Sequence, residues 1–190
     1  MNFWHKLARA ALVLGALALS VPGTAAAASS YKNREGKIQV GAGIGMSASP
    51  FDLTGGIEAQ FFPANSVSIG PRLSFIPAER GPADSFNEDI YLLMLDLRFH
   101  PPMGEKLSRL KPFIGIGAGI SFIDYSLPVF GSHVDISPAV EFGAGLNYFV
   151  ADTVSLGTQA HVILPLGSSY RGVEEDAVLE WQIVHFDFLF

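Results

Sequence analysis

Ile114-Gly115-Ile116-Gly117-Ala118-Gly119-Ile120-Ser121-Phe122 alternates without interruption, each even position apolar and each odd one glycine or serine. A period of two places these sets on opposite faces of a β-strand. The lesser face decides the matter. In a water-soluble sheet the face turned from the core carries lysine and glutamate, whereas here it is almost bare. One bulky apolar face and one bare face suit an apolar medium outside and a narrow interior within.

The same pattern recurs outward from this stretch in both directions. Ile38, Val40, Ala42, Ile44 and Met46 oppose Gln39, Gly41, Gly43, Gly45 and Ser47, and residues 53–61, 67–75, 91–99, 140–148, 154–162 and 181–190 repeat the alternation. From the second of these stretches onward none contains a lysine, and the minor face is Gly, Ser, Thr and Gln with isolated charges. Eight strands are predicted. Their length, about ten residues, suits the ~9–11 that cross a bilayer at a tilt. Only closure satisfies every backbone N–H and C=O in hydrocarbon. The predicted fold is all-β, an eight-stranded antiparallel up-and-down transmembrane β-barrel over residues 37–190.

Composition agrees. Charged residues are 16% of the 190, below the ~25% usual for soluble domains, and the mean hydropathy is +0.33. The excess of acidic over basic residues, 18 to 12, excludes a phosphate-backbone binder, so no nucleic-acid partner is expected. With no cysteine there is no disulfide, thiolate zinc site or cysteine nucleophile.

Residues 1–28 read as a cleaved signal peptide: Lys6 and Arg9, an apolar run to Val21, Pro22-Gly23, then cleavage options at Ala26, Ala27 and Ala28. The apolar run is well short of the ~20 residues of a membrane helix. Residues 29–36 form a short lead. Phe61, Phe99, Phe113, Tyr148 and Phe188 fall near one set of strand ends, and Phe75, Tyr91, Phe122, Tyr125 and Trp181 near the other, as two interfacial girdles would. Connections 63–66 and 150–153 read as tight turns, whereas 77–89, 123–134 and 164–180 read as long outer loops. The inner connection 100–112 is longer than a turn and basic, with Lys106, Arg109 and Lys111 against Glu105.

Two stretches carry a family resemblance. Lys111-Pro112-Phe113-Ile114-Gly115-Ile116-Gly117-Ala118-Gly119 resembles the P-[FY]-[IV]-G-x-G-x-G strand of small Gram-negative outer-membrane barrels, the OmpA/OmpX-like, porin-type superfamily. Val184, Phe186, Phe188 and the terminal Phe190 resemble the C-terminal assembly signal of outer-membrane proteins. The resemblance covers the mature chain and implies a cell outer-membrane location. It also implies contact with outer-membrane lipid and lipopolysaccharide, and handling by periplasmic chaperones and the outer-membrane assembly machinery. No peptidoglycan-binding domain is expected after the last strand.

The predicted inward charges are Glu58, Arg72, Asp96, Arg98, Glu141 and Asp187, with His161 and His185 beside them. They could line a solute path or form an ion-paired plug. The plug is favoured because an eight-stranded interior is about wide enough for side chains to fill. Inward glycines on strands one, five and six leave open whether the lumen is filled. Inward parity and turn length set Glu58 opposite Arg72 and Glu141 opposite His161. Ser121, Glu141 and His161 lie on consecutive strands, but the carboxylate falls between Ser and His, the wrong order for a nucleophilic relay. No enzyme, cofactor or metal site is therefore expected. The acidic loop residues Glu79, Asp84, Glu88, Asp89, Glu174, Glu175, Asp176 and Glu180 match no calcium-loop spacing and read as solvated surface. The expected role is structural or surface-interacting, the alternatives being a narrow pore or hydrophobic-solute conduit, or a lipid A-modifying enzyme.

Overall fold

The structure, a computed structural model, describes residues 32–48, 51–79, 87–127, 131–166, 169–170, 173–174 and 177–190. The signal peptide over residues 1–28, its cleavage options and loop residues Asp84, Glu175 and Asp176 lie outside these.

Eight antiparallel strands close on themselves in the order β1-β10-β7-β6-β5-β4-β3-β2. They are β1 (Ile38–Ala48), β2 (Phe51–Ala64), β3 (Val67–Glu79), β4 (Asn87–Phe99), β5 (Leu110–Leu127), β6 (Gly131–Phe149), β7 (Val154–Pro165) and β10 (Val178–Leu189). Two-residue strands β8 (Ser169–Tyr170) and β9 (Val173–Glu174) pair only with each other. Sequential neighbours pair throughout, and β10 returns to β1 with Gly41 opposite Asp187, so the barrel is up-and-down. Backbone bonds between Ile38 and Phe190 finish the seam.

Burial follows the sequence period, β1 reading exposed and buried in strict alternation over its first eight residues. Every second side chain meets its neighbours inside, and the other set faces out. Ile44, Ile114, Ile116, Leu95 and Phe142 are each more than half exposed. So extensive an apolar surface far exceeds the patches that soluble monomers expose. Among the described residues no helix is long and apolar enough to cross a membrane.

The two ends differ. One carries the N-terminal lead, the turn at Asn65-Ser66, the connection 100–109 with its single 3-10 turn (Glu105–Leu107), and the turn at 150–153. We call it the turn end and its opposite the loop end. Much of what the sequence assigns to loops 77–89 and 123–134 is strand: β3 and β4 pair as far as Glu79 and Asn87, and β5 and β6 as far as Leu127 and Gly131. Hydrogen bonding carries these ladders past the alternating stretches, because a paired backbone does not need an apolar face to continue.

Candidate functional site

The lumen is filled in three layers, and the middle one holds the charges. Alternation turns Glu58 of β2, Arg72 of β3, Asp96 and Arg98 of β4, Glu141 of β6, His161 of β7, and His185 and Asp187 of β10 inward. All eight are buried. The structure thus brings together every charged and histidine residue that parity assigned to the interior.

Two arginines organise the layer. Arg98 grips Glu58 with two parallel bonds, Nη1 to Oε1 and Nη2 to Oε2, each 2.6 Å, and reaches Asp96 at 2.9 Å. Paired N–H···O bonds of this kind are the strong, oriented form of ion pair. Arg72 donates to Glu141 and to Glu180 (2.7 Å), with Nε 3.4 Å from Asp96. Gln159 donates to Glu58 at 3.1 Å and to Gln182 at 2.8 Å. Glu180 accepts further bonds from Thr54 and from Gln182. His185 Nε2 lies 2.7 Å from Asp187 Oδ1, and Ser155 donates to Asp187 Oδ2.

One register expectation holds and two expectations are corrected. Glu58 pairs in register with Arg72, and its ion-pair partner is Arg98, because a curved barrel wall lets side chains reach past their cross-strand neighbour. Glu141 stands opposite Ile163, and His161 opposite Gly143. The turn at 150–153 bonds both Val150 N and Ala151 N to Val154 O, which shifts the register by two residues. His161 Nδ1 nevertheless lies 3.3 Å from Glu141 Oε1. Phe113 belongs to no girdle: it is buried inside, under Arg98 at 4.6 Å. Its odd number already placed it on the face of Gly115 and Gly117.

The sequence reading also missed a partner. It assigned Glu180 to a solvated loop. In the structure Glu180 is buried inside and Trp181 is 48% exposed. The cause is a β-bulge in β10, where Ile183 and Val184 both face out and the register shifts against β1 and β7. One extra residue inverts parity on its N-terminal side. Thr158 donates to Gln182 O beside the bulge and accepts from Trp181 Nε1, so the disrupted ladder keeps its polar groups bonded. Beyond the bulge Val184, Phe186, Phe188 and Phe190 all face outward.

Above the charges, toward the loop end, Ile76, Ile90, Leu92, Met94, Ile123, Ala139, Ile163 and Val178 form an apolar layer. Below them Phe62, Phe149 and Leu189 form a floor at the turn end. Between floor and charges runs a stack: Arg34 over Phe62 (4.5 Å), Phe62 against His100 (5.2 Å), His100 against Phe113 (5.6 Å), and Phe113 under Arg98. Arg34 comes from the lead, turned inward by a bend in which Lys37 N bonds to Arg34 O. The third residue of that bend is Gly36 at φ +76°, a conformation other residues resist. The inward glycines are not gaps. Asp187 and His185 fill the space beside Gly41, Glu141 and Asp96 that beside Gly117, His161 that beside Gly143, and Phe113 that beside Gly145.

His100 fixes a directional chain. Arg34 Nη1 has only protons to give, so His100 Nδ1 (3.3 Å) accepts; Nε2–H then donates to Ser68 Oγ (3.0 Å), and Ser68 to Gln60 Oε1 (3.0 Å). This arrangement needs a neutral imidazole. Burial, then the positive charges of Arg34, Arg98 and Lys111, pushes the His100 pKa down to about 2, with Glu58 opposing. Burial likewise lowers the Arg34 guanidinium to about 10.

Eight meandering strands, an apolar exterior and a polar packed lumen together make one architecture. The fold is that of the small outer-membrane β-barrels. No family model matches the sequence, and no curated protein matches it by sequence. Solved structures do match in fold. Neisserial surface protein A aligns with a TM-score of 0.64 at 13% identity, over 80% of this chain and 95% of that one. The N-terminal β-barrel domain of Pseudomonas aeruginosa OprF gives 0.57 at 14%, over 82% and 98%. Ail, the attachment invasion locus protein of Yersinia pestis, gives 0.55 at 13%, over 82% and 99%.

Ser121 Oγ bonds to Ser137 Oγ at 2.7 Å. Glu58, His185 and Asp187 present one ligand atom each within 4.8 Å of one another. Arg98 already holds both oxygens of that glutamate, and His185 Nε2 is bonded to the aspartate, so the trio is part of the ion-pair network.

Proposed function

We propose that the protein is a non-catalytic integral outer-membrane barrel that acts structurally or through its loops, with a lumen plugged against solutes. One observation carries this reading: the charged residues inside the described barrel form a buried network of ion pairs and hydrogen bonds between two apolar layers. A conduit needs an unbroken path of water, and an eight-stranded interior has no width to spare once side chains fill it. The apolar exterior supports residence in a lipid bilayer, and the aromatic terminus Phe186, Phe188 and Phe190 supports delivery by the outer-membrane assembly machinery. The likeness to a neisserial surface protein and to an attachment invasion locus protein supports a role at the cell surface. The turn end then faces the periplasm and the loop end the exterior.

Membrane fractionation after expression with the native leader tests the location. Recovery in the outer-membrane fraction, with gel mobility that shifts only on boiling, is the expected result. Recovery as soluble protein with one mobility would refute it. Lipid A mass spectrometry with and without the protein tests the catalytic alternative, and the expected spectra are identical.

A further inference from the structure

A cavity of about 590 Å³ opens at the turn end, between the N-terminal lead, the Asn65-Ser66 turn and the connection after β4. Three cations from two segments line it: Lys32 and Arg34 from the lead, and Lys111 from the start of β5. Asn65, Ser66 and Ser108 add neutral hydrogen-bonding groups, and Glu105 is the one acid among its described lining residues. In a chain with six more acidic than basic residues, this is a local inversion of charge.

The cavity is built. Arg34 is 4% exposed, held by Nη2 donating to Asn65 O at 2.8 Å, by His100 and by the face of Phe62. Its backbone N–H donates to Asn65 Oδ1 at 2.6 Å, tying lead to turn. The field there is positive enough to help hold His100 neutral. Such a pocket is short of negative charge, and its size is that of a small-ligand site.

We propose that this pocket binds a phosphate-bearing anion. A planar carboxylate is satisfied by one guanidinium fork in its own plane. Three cations lining one cavity from two segments instead suit a tetrahedral group with oxygens pointing several ways. The source is either free phosphate or a phosphomonoester, or the headgroup of an anionic phospholipid at the level of the barrel rim. The inference goes beyond the role proposed above and does not depend on it.

The test uses the folded barrel in zwitterionic detergent, titrated with inorganic phosphate, with short-chain phosphatidylglycerol, and with succinate as a planar dianion, and followed by amide chemical shifts. Lys32→Gln and Lys111→Gln should each weaken binding on the order of tenfold, while amide shifts of β3 to β6 away from the mouth stay in place. Glu105→Gln should strengthen it, an outcome that damage to the fold would not produce. Saturation by inorganic phosphate identifies a free anion site; saturation by phosphatidylglycerol alone, with the same variant pattern, identifies the headgroup. Binding of neither, binding of succinate as tightly, or binding indifferent to both lysine variants would overturn the proposal.

Discussion

At the scale of single residues the lumen network separates two kinds of arginine. Arg98 holds both oxygens of Glu58 and shares Asp96 with Arg72, which also serves Glu141 and Glu180. Removing one member of a buried pair leaves an uncompensated charge and costs ~3–5 kcal/mol, while an apolar replacement of both members is often tolerated. Arg98→Met should therefore lower the urea midpoint of the micelle-embedded barrel, and Glu58→Leu with Arg98→Met should recover much of the loss. Arg72→Met should be as damaging but not rescued by Glu141→Leu, because Glu180 would still be stranded. Rescue of both arginines alike would show that the two clusters are one diffuse field. His100 gives a second prediction. Its folded pKa lies far below the ordinary 6.5, so below pH 6.5 the unfolded chain takes up a proton that the folded one refuses. Stability from this residue is thus complete above pH 6.5 and lost as pH falls, by about 1.4 kcal/mol per pH unit. His100→Gln, which keeps an acceptor and a donor, should flatten the slope of unfolding free energy between pH 6.5 and 4.5. An unchanged slope would mean that His100 is not buried as a neutral ring.

At the scale of elements, β5 and β10 show what the sequence holds and what it hides. In β5 a strict period of two over residues 114–122 made the two faces legible, because every residue there has one of two environments, whereas the ends of the strand at Leu110 and Leu127 lie beyond the pattern. Phe113 was misjudged for a different reason: its nearness to a strand end was weighed above its parity. In β10 counting back from Phe190 fails at Ile183, since one bulge residue moves Glu180 and Gln182 inside and Trp181 out. The signal was present, for Leu179, Trp181 and Ile183 are apolar with Glu180 and Gln182 between them. A phase change in the pattern marks a bulge. The ion-pair partners were not legible at all, because they depend on how long side chains cross a curved interior and not on strand spacing. Deleting Ile183 should remove the bulge and leave Gln182 next to Val184 in alternating phase, so Glu180 and Gln182 stay inside, Trp181 stays outside and outer-membrane yield stays near normal. Deleting Phe190, or replacing Phe188 and Phe190 with Ser, should instead collapse the yield. Collapse on the Ile183 deletion as well would show that β10 needs the extra residue to hold its place against β1 and β7.

At the scale of the whole molecule, closure and filling have separate consequences. Closure leaves no edge strand, so the ladder bonds of eight strands must fail together, and resistance to SDS until boiling follows from topology alone. Filling decides transport. Buried side chains occupy the interior at three levels: Ile76, Leu92, Met94 and their neighbours near the loop end, the arginine clusters in the middle, and Phe62, Phe149 and Leu189 at the turn end, and the proposed plug treats each as a barrier. These barriers differ in chemistry, and the stack from Arg34 to Arg98 links the floor to the middle layer. Opening one should leave the others shut. In a planar bilayer the wild type should show no steady single-channel steps, and neither should Glu58→Ala with Arg98→Ala, which empties only the middle layer. Adding Phe62→Ala and Phe149→Ala removes the floor but leaves the apolar layer near the loop end in place, so conductance should still be absent. Steps should appear only when Leu92→Ser and Ile163→Ser are added as well, because a dewetted apolar constriction stops ions as firmly as a packed one. Reproducible steps from the middle-layer variant alone would show that the charges are the sole barrier and that the lumen is a gated path rather than a plug.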